Sequence, residues 1–180
     1  MNSFTKEQRH NMMSGVHSKD TKPEILVRKY LWANGFRYRL NHPRLPGKPD
    51  IVMRKYRTCI FVNGCFWHGH NVVFESVIST KNNYQFESSP CCRIPKTNCD
   101  FWVKKIIRNQ ERDRIVQQKL STMGWHTIVI WECQLEPKRR ESTLRSLSYT
   151  LNHIYLKDRT TNHYVLPEEE HILAAEEETR

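Results

Sequence analysis

Apolar and polar positions alternate along this chain with two different periods. Asp20-Thr21-Lys22-Pro23-Glu24 reads as a helix start, with Thr21 and Glu24 at capping-box spacing and a proline in the first turn. Ile25, Leu26, Tyr30 and Leu31 then form a helical apolar face, and Gly35 marks its end. Residues 36–40 alternate as a strand. Pro43, Pro46, Gly47 and Pro49 make a stiff turn. Two further strands follow over 51–53 and 58–62, joined by a polar turn over 54–57. Residues 71–90 mix Ser, Asn and Glu with a few apolar side chains and read as a long loop or a small added hairpin. A helix capped by Thr97 or Asn98 runs to about Thr122 and stops before Gly124. A buried-type strand over 125–131 and a helix near 140–156 complete the pattern. The order predicts a mixed α/β sheet with helices on its faces.

Composition narrows the class. The 180 residues suffice for one domain with a core. Charged residues make up 27% and apolar ones 38%, as in an ordinary globular chain. No apolar run approaches the roughly 18–20 residues that span a bilayer. The start, MNSFTKEQRHNMM, lacks a signal-peptide core, so an intracellular setting is expected. The net charge is +10, yet residues 167–180 hold six Glu against one Arg, so the rest of the chain carries +15. A basic body suggests a polyanionic partner, most simply nucleic acid, although solvated surface charge would look the same. In a reducing compartment the six cysteines are not expected to form disulfides, so metal binding competes with burial. Cys59 lies in the run Cys59-Ile60-Phe61-Val62 and reads as core. Cys99 has no evident partner and reads as structural.

Chemistry concentrates between residues 45 and 70. Asp50 stands at a strand start behind Pro49, Glu24 lies in the first turn of the preceding helix, and His68 follows the strand end at Val62-Asn63. If the two strands pair as a hairpin, these groups converge on one hydrated Mg²⁺ and one activated water. Magnesium favours one or two carboxylates with backbone oxygen and waters, and phosphodiester hydrolysis needs such a metal and a base. Without that convergence Glu24 is only a cap and His68 a surface histidine. Cys65 and His70, with one of Cys91 or Cys92 and with Cys133, would make a tetrahedral Cys3His set. Phe66, Trp67 and Trp102 read as exposed rings that could insert between base pairs; sequential Phe66 and Trp67 would point differently. Core packing is the competing reading. Trp102, Ile106, Asn109 and Asp113 step by helical spacing and share one face. Lys48, Lys96, Lys104, Lys105, Arg108, Arg112 and Arg114 are expected phosphate contacts.

Six segments carry a family resemblance. They are Leu45-Pro46-Gly47-Lys48-Pro49-Asp50, Gly64-Cys65-Phe66-Trp67-His68-Gly69-His70, Ile94-Pro95-Lys96-Thr97-Asn98, Phe101-Trp102, Asn109-Gln110-Glu111-Arg112-Asp113 and Trp131-Glu132-Cys133. In this order, over about residues 5–140, the chain resembles the very-short-patch repair (Vsr) endonucleases. The resemblance implies a restriction-endonuclease-like fold, a central mixed β-sheet flanked by helices, with a structural zinc site. It implies Mg²⁺-dependent nicking of one strand 5′ of the T in a T:G mismatch left by 5-methylcytosine deamination. By similarity Asp50 is the metal carboxylate, Val62 gives Mg²⁺ a backbone carbonyl, and His68 is the base. Asp113 supports His68, and Glu24 is an auxiliary acid. Met12 is a further DNA contact. The zinc ligands by resemblance match Cys65, His70 and Cys133.

The chain departs from the family at two places. Asn63 stands where the family often has His; an amide can hold a phosphate oxygen or a water but delivers no proton at pH 7. The cysteine usually almost next to the zinc histidine is displaced about twenty residues, to Cys91-Cys92. Cys92 is favoured because it joins Arg93-Ile94-Pro95-Lys96 directly.

The expected organisation is a DNA-contacting arm over 1–20, an endonuclease domain over 21–156 with an inserted loop over 71–90, and an acidic tail over 157–180. The expected partners are double-stranded DNA with a T:G mismatch and mismatch-repair proteins, with no membrane. The expected state is a monomer in the cytoplasm, associated with the nucleoid. Two other readings remain: a restriction-type endonuclease cutting matched duplex, and a zinc-stabilised DNA-binding module whose catalytic centre has decayed.

Overall fold

A computed structural model of the chain describes residues 5, 7–8, 19–74, 86–87 and 89–160. Met12, most of the 1–20 arm, the middle of the 71–90 insert and the tail beyond 160 lie outside the described residues.

Helix α1, Lys22–Ala33, begins where the capping signal falls. The Thr21 hydroxyl accepts from the Glu24 N–H at 3.4 Å and donates to the Glu24 carboxylate at 2.9 Å. The helix ends in a Schellman-type turn. Gly35 takes φ +81°, which suits a residue without a side chain, and Phe36 N–H donates back to the Leu31 carbonyl at 3.0 Å. That closure sends Phe36 into the core, so the strand expected over 36–40 shrinks to β1, Arg39–Leu40.

Strands β2, Ile51–Met53, and β3, Thr58–Asn63, pair antiparallel, with Ile51 opposite Ile60. A 3-10 turn at Arg54–Tyr56 joins them. Helix α2, Cys65–His68, is a single turn. Strands β4, Val73–Phe74, and β5, Phe86–Glu87, pair antiparallel, so the base of the 71–90 insert is the small hairpin that was one of its two expected forms.

Helix α3 spans Cys99–Thr122. Its N-cap is Asn98, one of the two expected residues, although Asn98 has φ +55° and makes no side-chain cap hydrogen bond. Strand β6, His126–Trp131, and helix α4, Arg140–Thr160, follow.

The sheet order is β1-β2-β3-β6, and β6 runs parallel to β3. A parallel pair needs a crossover, and α3 supplies it. Period-2 alternation divides the core. Ile51, Met53 and Ile60 pack under α1 and α4 with Val27, Leu31, Leu147 and Leu151. Val52 and Cys59 face the other way, towards Leu120 of α3. The sheet is therefore mixed and flanked by helices. No described helix is long and apolar enough to cross a membrane.

Candidate active site and metal centre

The carboxyl end of β3 and the start of β2 open into a cavity of about 600 Å³ between the sheet and α3. Glu24, Asp50, Val62, Asn63, His68 and Asp113 all line it. Five elements deliver these side chains to one place, and the β2–β3 hairpin sets the spacing of its two walls.

Asp50 accepts the Val62 N–H at 2.8 Å, which anchors one carboxylate oxygen. Burial holds the Asp50 carboxyl above the usual carboxylate range. The Val62 N–H opposes that rise, the neighbouring Glu24 carboxylate adds to it, and Arg28 and His68 lower it. Glu24 is 4% exposed and already engaged. Arg28 donates to its carboxylate at 2.6 Å, as does the Asp20 N–H at 3.1 Å. Arg28 also pairs with the Asp20 carboxylate. Glu24 is thus both the cap and a wall of the cavity.

His68 Nδ1 lies 2.5 Å from the Asp113 carboxylate. A carboxylate at Nδ1 keeps the proton there and leaves Nε2 as the acceptor. Asn63 is buried, and its neutral amide lines the same cavity.

The second cluster sits just behind His70. The ligand atoms of Cys65, His70, Cys91 and Cys133 all lie within 4.8 Å of one another. His70 Nδ1 is 3.2 Å from Cys91 Sγ, 3.3 Å from Cys133 Sγ and 3.7 Å from Cys65 Sγ. A tetrahedral ion with M–S near 2.3 Å separates such atoms by about 3.6–3.8 Å, so the set could hold one. Burial pushes the Cys65 thiol up to about 12 and raises Cys133 as well, and neighbouring thiols that cannot all ionise add to this. Against burial, hydrogen bonds from Ser89, Cys133 and Cys65 hold Cys91 below its ordinary value. A cation would relieve that conflict.

The fourth position is Cys91, which corrects the preference for Cys92. The Ser89 hydroxyl donates to the His70 carbonyl at 2.6 Å, and Ser89 bridges Cys92. That return to the turn aims Cys91 at His70. Cys92 is fully buried and points to the Phe66 carbonyl at 3.8 Å.

Phe66, Trp67 and Trp102 form one edge-on cluster, with ring centroids 5.2, 5.0 and 6.0 Å apart. All three are half-buried rather than exposed, and Phe66 and Trp67 meet instead of diverging, as both pack against Trp102 of α3. Phe101, at 57% exposure, is the outward ring and packs on Trp102 at 5.1 Å. Lys105 Nζ lies 5.0 Å from the Trp67 ring centre and 5.4 Å from that of Trp102.

The expected α3 face is realised. Ile106 is buried, Asn109 donates to the Trp67 carbonyl at 2.7 Å, and Asp113 meets His68. Sequence reasoning passed over Gln110, although it stands inside a quoted motif. Its amide nitrogen donates to the carbonyls of Gly69 at 3.0 Å and Val72 at 3.1 Å. It therefore pins the chain between His68, which faces the cavity, and His70, which faces the sulfurs. Lys48 is exposed beside the cavity, and Lys96 is exposed before α3. Arg112 reaches Asp113 at 3.4 Å, and Arg114 pairs with Glu111.

Comparison with known proteins gives a consistent answer. The family model described as "DNA mismatch endonuclease Vsr" matches residues 1–73. The "Type II nicking enzyme V.NmeAIP" of Neisseria meningitidis is 46% identical over 135 residues, covering 75% of this chain and 84% of that protein. The "Type II nicking enzyme V.XorIIP" of Xanthomonas oryzae is 39% identical over 132 residues, covering 72% and 82%. The "DNA mismatch endonuclease Vsr" of Escherichia coli is 33% identical over 135 residues, covering 75% and 76%. With a mixed sheet of restriction-endonuclease-like architecture and likeness over three quarters of its length, this chain belongs to the Vsr family of DNA endonucleases.

Proposed function

We propose that this enzyme nicks one strand of duplex DNA on the 5′ side of the T in a T:G mismatch, with Mg²⁺ as catalytic cofactor. The observation that carries the reading is the cavity joining Asp50, Asn63 and the His68–Asp113 pair, with His68 on the same helical turn as Phe66 and Trp67. The residues fit a divalent cation. A carboxyl held up by burial beside a second carboxylate is a site that gains from a positive charge. Asp50 and the Val62 backbone carbonyl would hold Mg²⁺. When bound, it supplies charge stabilisation at the reacting phosphate.

The protein's own groups do the rest. His68 Nε2 takes the proton of the attacking water. Asp113 keeps the ring in the required tautomer and stabilises it once protonated. Asn63 orients a phosphate oxygen or a water without exchanging a proton. Glu24, tied to Arg28, sets the negative field around Asp50. Lys48, Lys96 and Met12 contact the backbone and grooves, and the three rings enter the opened base step. Unstacking a step costs a few kcal/mol and less at a mismatch, so the rings favour mismatched DNA. One Asp50–His68–Asp113 centre per chain suits one nick by a monomer.

Cys65, His70, Cys91 and Cys133 would hold Zn²⁺, and four protein ligands would make its role one of bracing the turn rather than hydrolysis. End-labelled duplexes that differ in one base pair test the reading. A nick beside the T of T:G, in Mg²⁺ only, is expected. Double-strand cleavage of matched DNA, or tight binding with no cleavage at all, would sink it.

A further inference from the structure

A second concavity, of about 280 Å³, lies on the same sheet face as the active site. The Leu45-Pro46-Gly47-Lys48 turn separates them: Leu45 lines the one, Gly47 and Lys48 the other. Its rim is Arg39, His42, Arg44 and Arg54, and its floor includes Val52 and Trp125. Arg39 is the register partner of Val52, so both point to this face.

Two observations set the concavity apart from ordinary surface charge. No acidic residue lines it, and the guanidinium groups of Arg39, Arg44 and Arg54 have no hydrogen bond or ion pair among the described residues. Several arginines elsewhere are engaged, Arg28 by Glu24, Arg57 by the Gly124 carbonyl, Arg114 by Glu111 and Arg145 by Glu141, but none of those sits in a concavity that gathers three free guanidinium groups. Independently, His42 Nδ1 is a buried nitrogen with no partner. Three like charges gathered around an unsatisfied imidazole repel one another unless an anion joins them. Guanidinium forks match phosphate geometry, and an apolar floor with an indole suits the sugar or base attached to it.

The placement relates the concavity to the chemistry. Arg54 lies four residues beyond Asp50 along and just past β2, about 13 Å at strand rise, or about four base-pair steps of duplex.

We propose that the Arg39–His42–Arg44–Arg54 concavity is a phosphate site that grips the DNA backbone within about half a helical turn of the phosphodiester being cut. It fixes the register of the duplex on the enzyme. The inference rests on the chain being a DNA endonuclease and not on mismatch specificity, so a failure of either leaves the other standing.

The triple variant Arg39→Gln/Arg44→Gln/Arg54→Gln tests it. Duplex binding is measured between about 50 and 200 mM salt, where each lost phosphate contact lowers the slope of log K against log [salt] by about 0.9. A fall of about 2–3 is expected, with the single-turnover nicking rate at saturating DNA within about threefold of the parent. The equal-charge control Lys138→Gln/Arg145→Gln/Arg159→Gln, around α4 on the other face, should lose less than about one unit of slope. If the triple variant does not fold, Arg44→Gln alone must lose about one unit. Inorganic phosphate is titrated calorimetrically in parallel. A duplex slope that stays constant while phosphate binding disappears in the variant keeps the phosphate site but makes its ligand a free phosphate. An unchanged slope without such phosphate binding, or an equal loss in the α4 control, overturns the proposal.

Discussion

Replacing Asp113 by Asn keeps the shape of His68's partner and removes its charge. In the parent, the carboxylate lies 2.5 Å from His68 Nδ1, with both side chains 22% exposed. A hydrogen bond to a charged group at such a site contributes about 1.5–3 kcal/mol. The loss falls mostly on the reaction, because the imidazolium formed when His68 takes the proton of water needs that negative charge. An amide can also present its NH2 to Nδ1, which would move the ring proton to Nε2 and abolish the acceptor. General-base catalysis is worth about 10²–10⁴-fold, so the single-turnover nicking rate should fall roughly 10²–10³-fold, or about 3–4 kcal/mol in barrier. Folding should hardly change, since partly exposed pairs contribute about 0–1 kcal/mol. The assay is single-turnover nicking with enzyme in excess, alongside duplex affinity and a thermal melt. A rate within about threefold of the parent, or a loss matched by weaker DNA binding, would refute the role given to Asp113.

Three further outcomes follow from the geometry. Cys91→Ser should lose bound zinc and destabilise the turn, whereas Cys92→Ser should keep one equivalent and only lower the melting temperature; metal analysis of the purified variants decides. Gly69→Ala should cost about 2–4 kcal/mol in denaturant unfolding. Gly69 has φ +62°, and an added Cβ would stand 2.4 Å from Ile106 Cγ2 and 2.8 Å from Gln110 Nε2. Burial pushes the Cys59 thiol up to about 12 from an ordinary 9.0, so the folded state keeps a proton that the unfolded chain releases. Stability from this group is complete below pH 9.0 and declines as pH rises towards about 12. Cys59→Val should flatten that alkaline decline in chemical unfolding.

Much of the scaffold was legible because local signals agreed with packing. Thr21, Pro23 and Glu24 announce α1, and the alternation through Ile51 and Ile60 fixes which sheet face each strand buries. The active-site convergence was legible for the same reason, since a hairpin brings Asp50 to Val62. What escaped depends on three-dimensional closure. Phe36 looks like a strand residue but completes the C-terminal turn of α1. Cys91 and Cys92 differ by one position, and only the Ser89 hydroxyl on the His70 carbonyl decides which sulfur faces the cluster. The rings of Phe66 and Trp67 meet because both pack against Trp102, a contact between α2 and α3 that local sequence cannot announce. Glu24 meets both the Thr21 hydroxyl and Arg28 and still lines the cavity, a double engagement that spacing alone does not announce.

The most direct test of the account is Asp50→Ala on a T:G duplex in Mg²⁺, with affinity and single-turnover rate measured on the same preparation. Duplex affinity should stay within about tenfold while nicking falls by about 10³-fold or more, because only the reacting phosphate loses its cation. Nicking that persists at the parental rate would contradict the placement of the chemistry at Asp50.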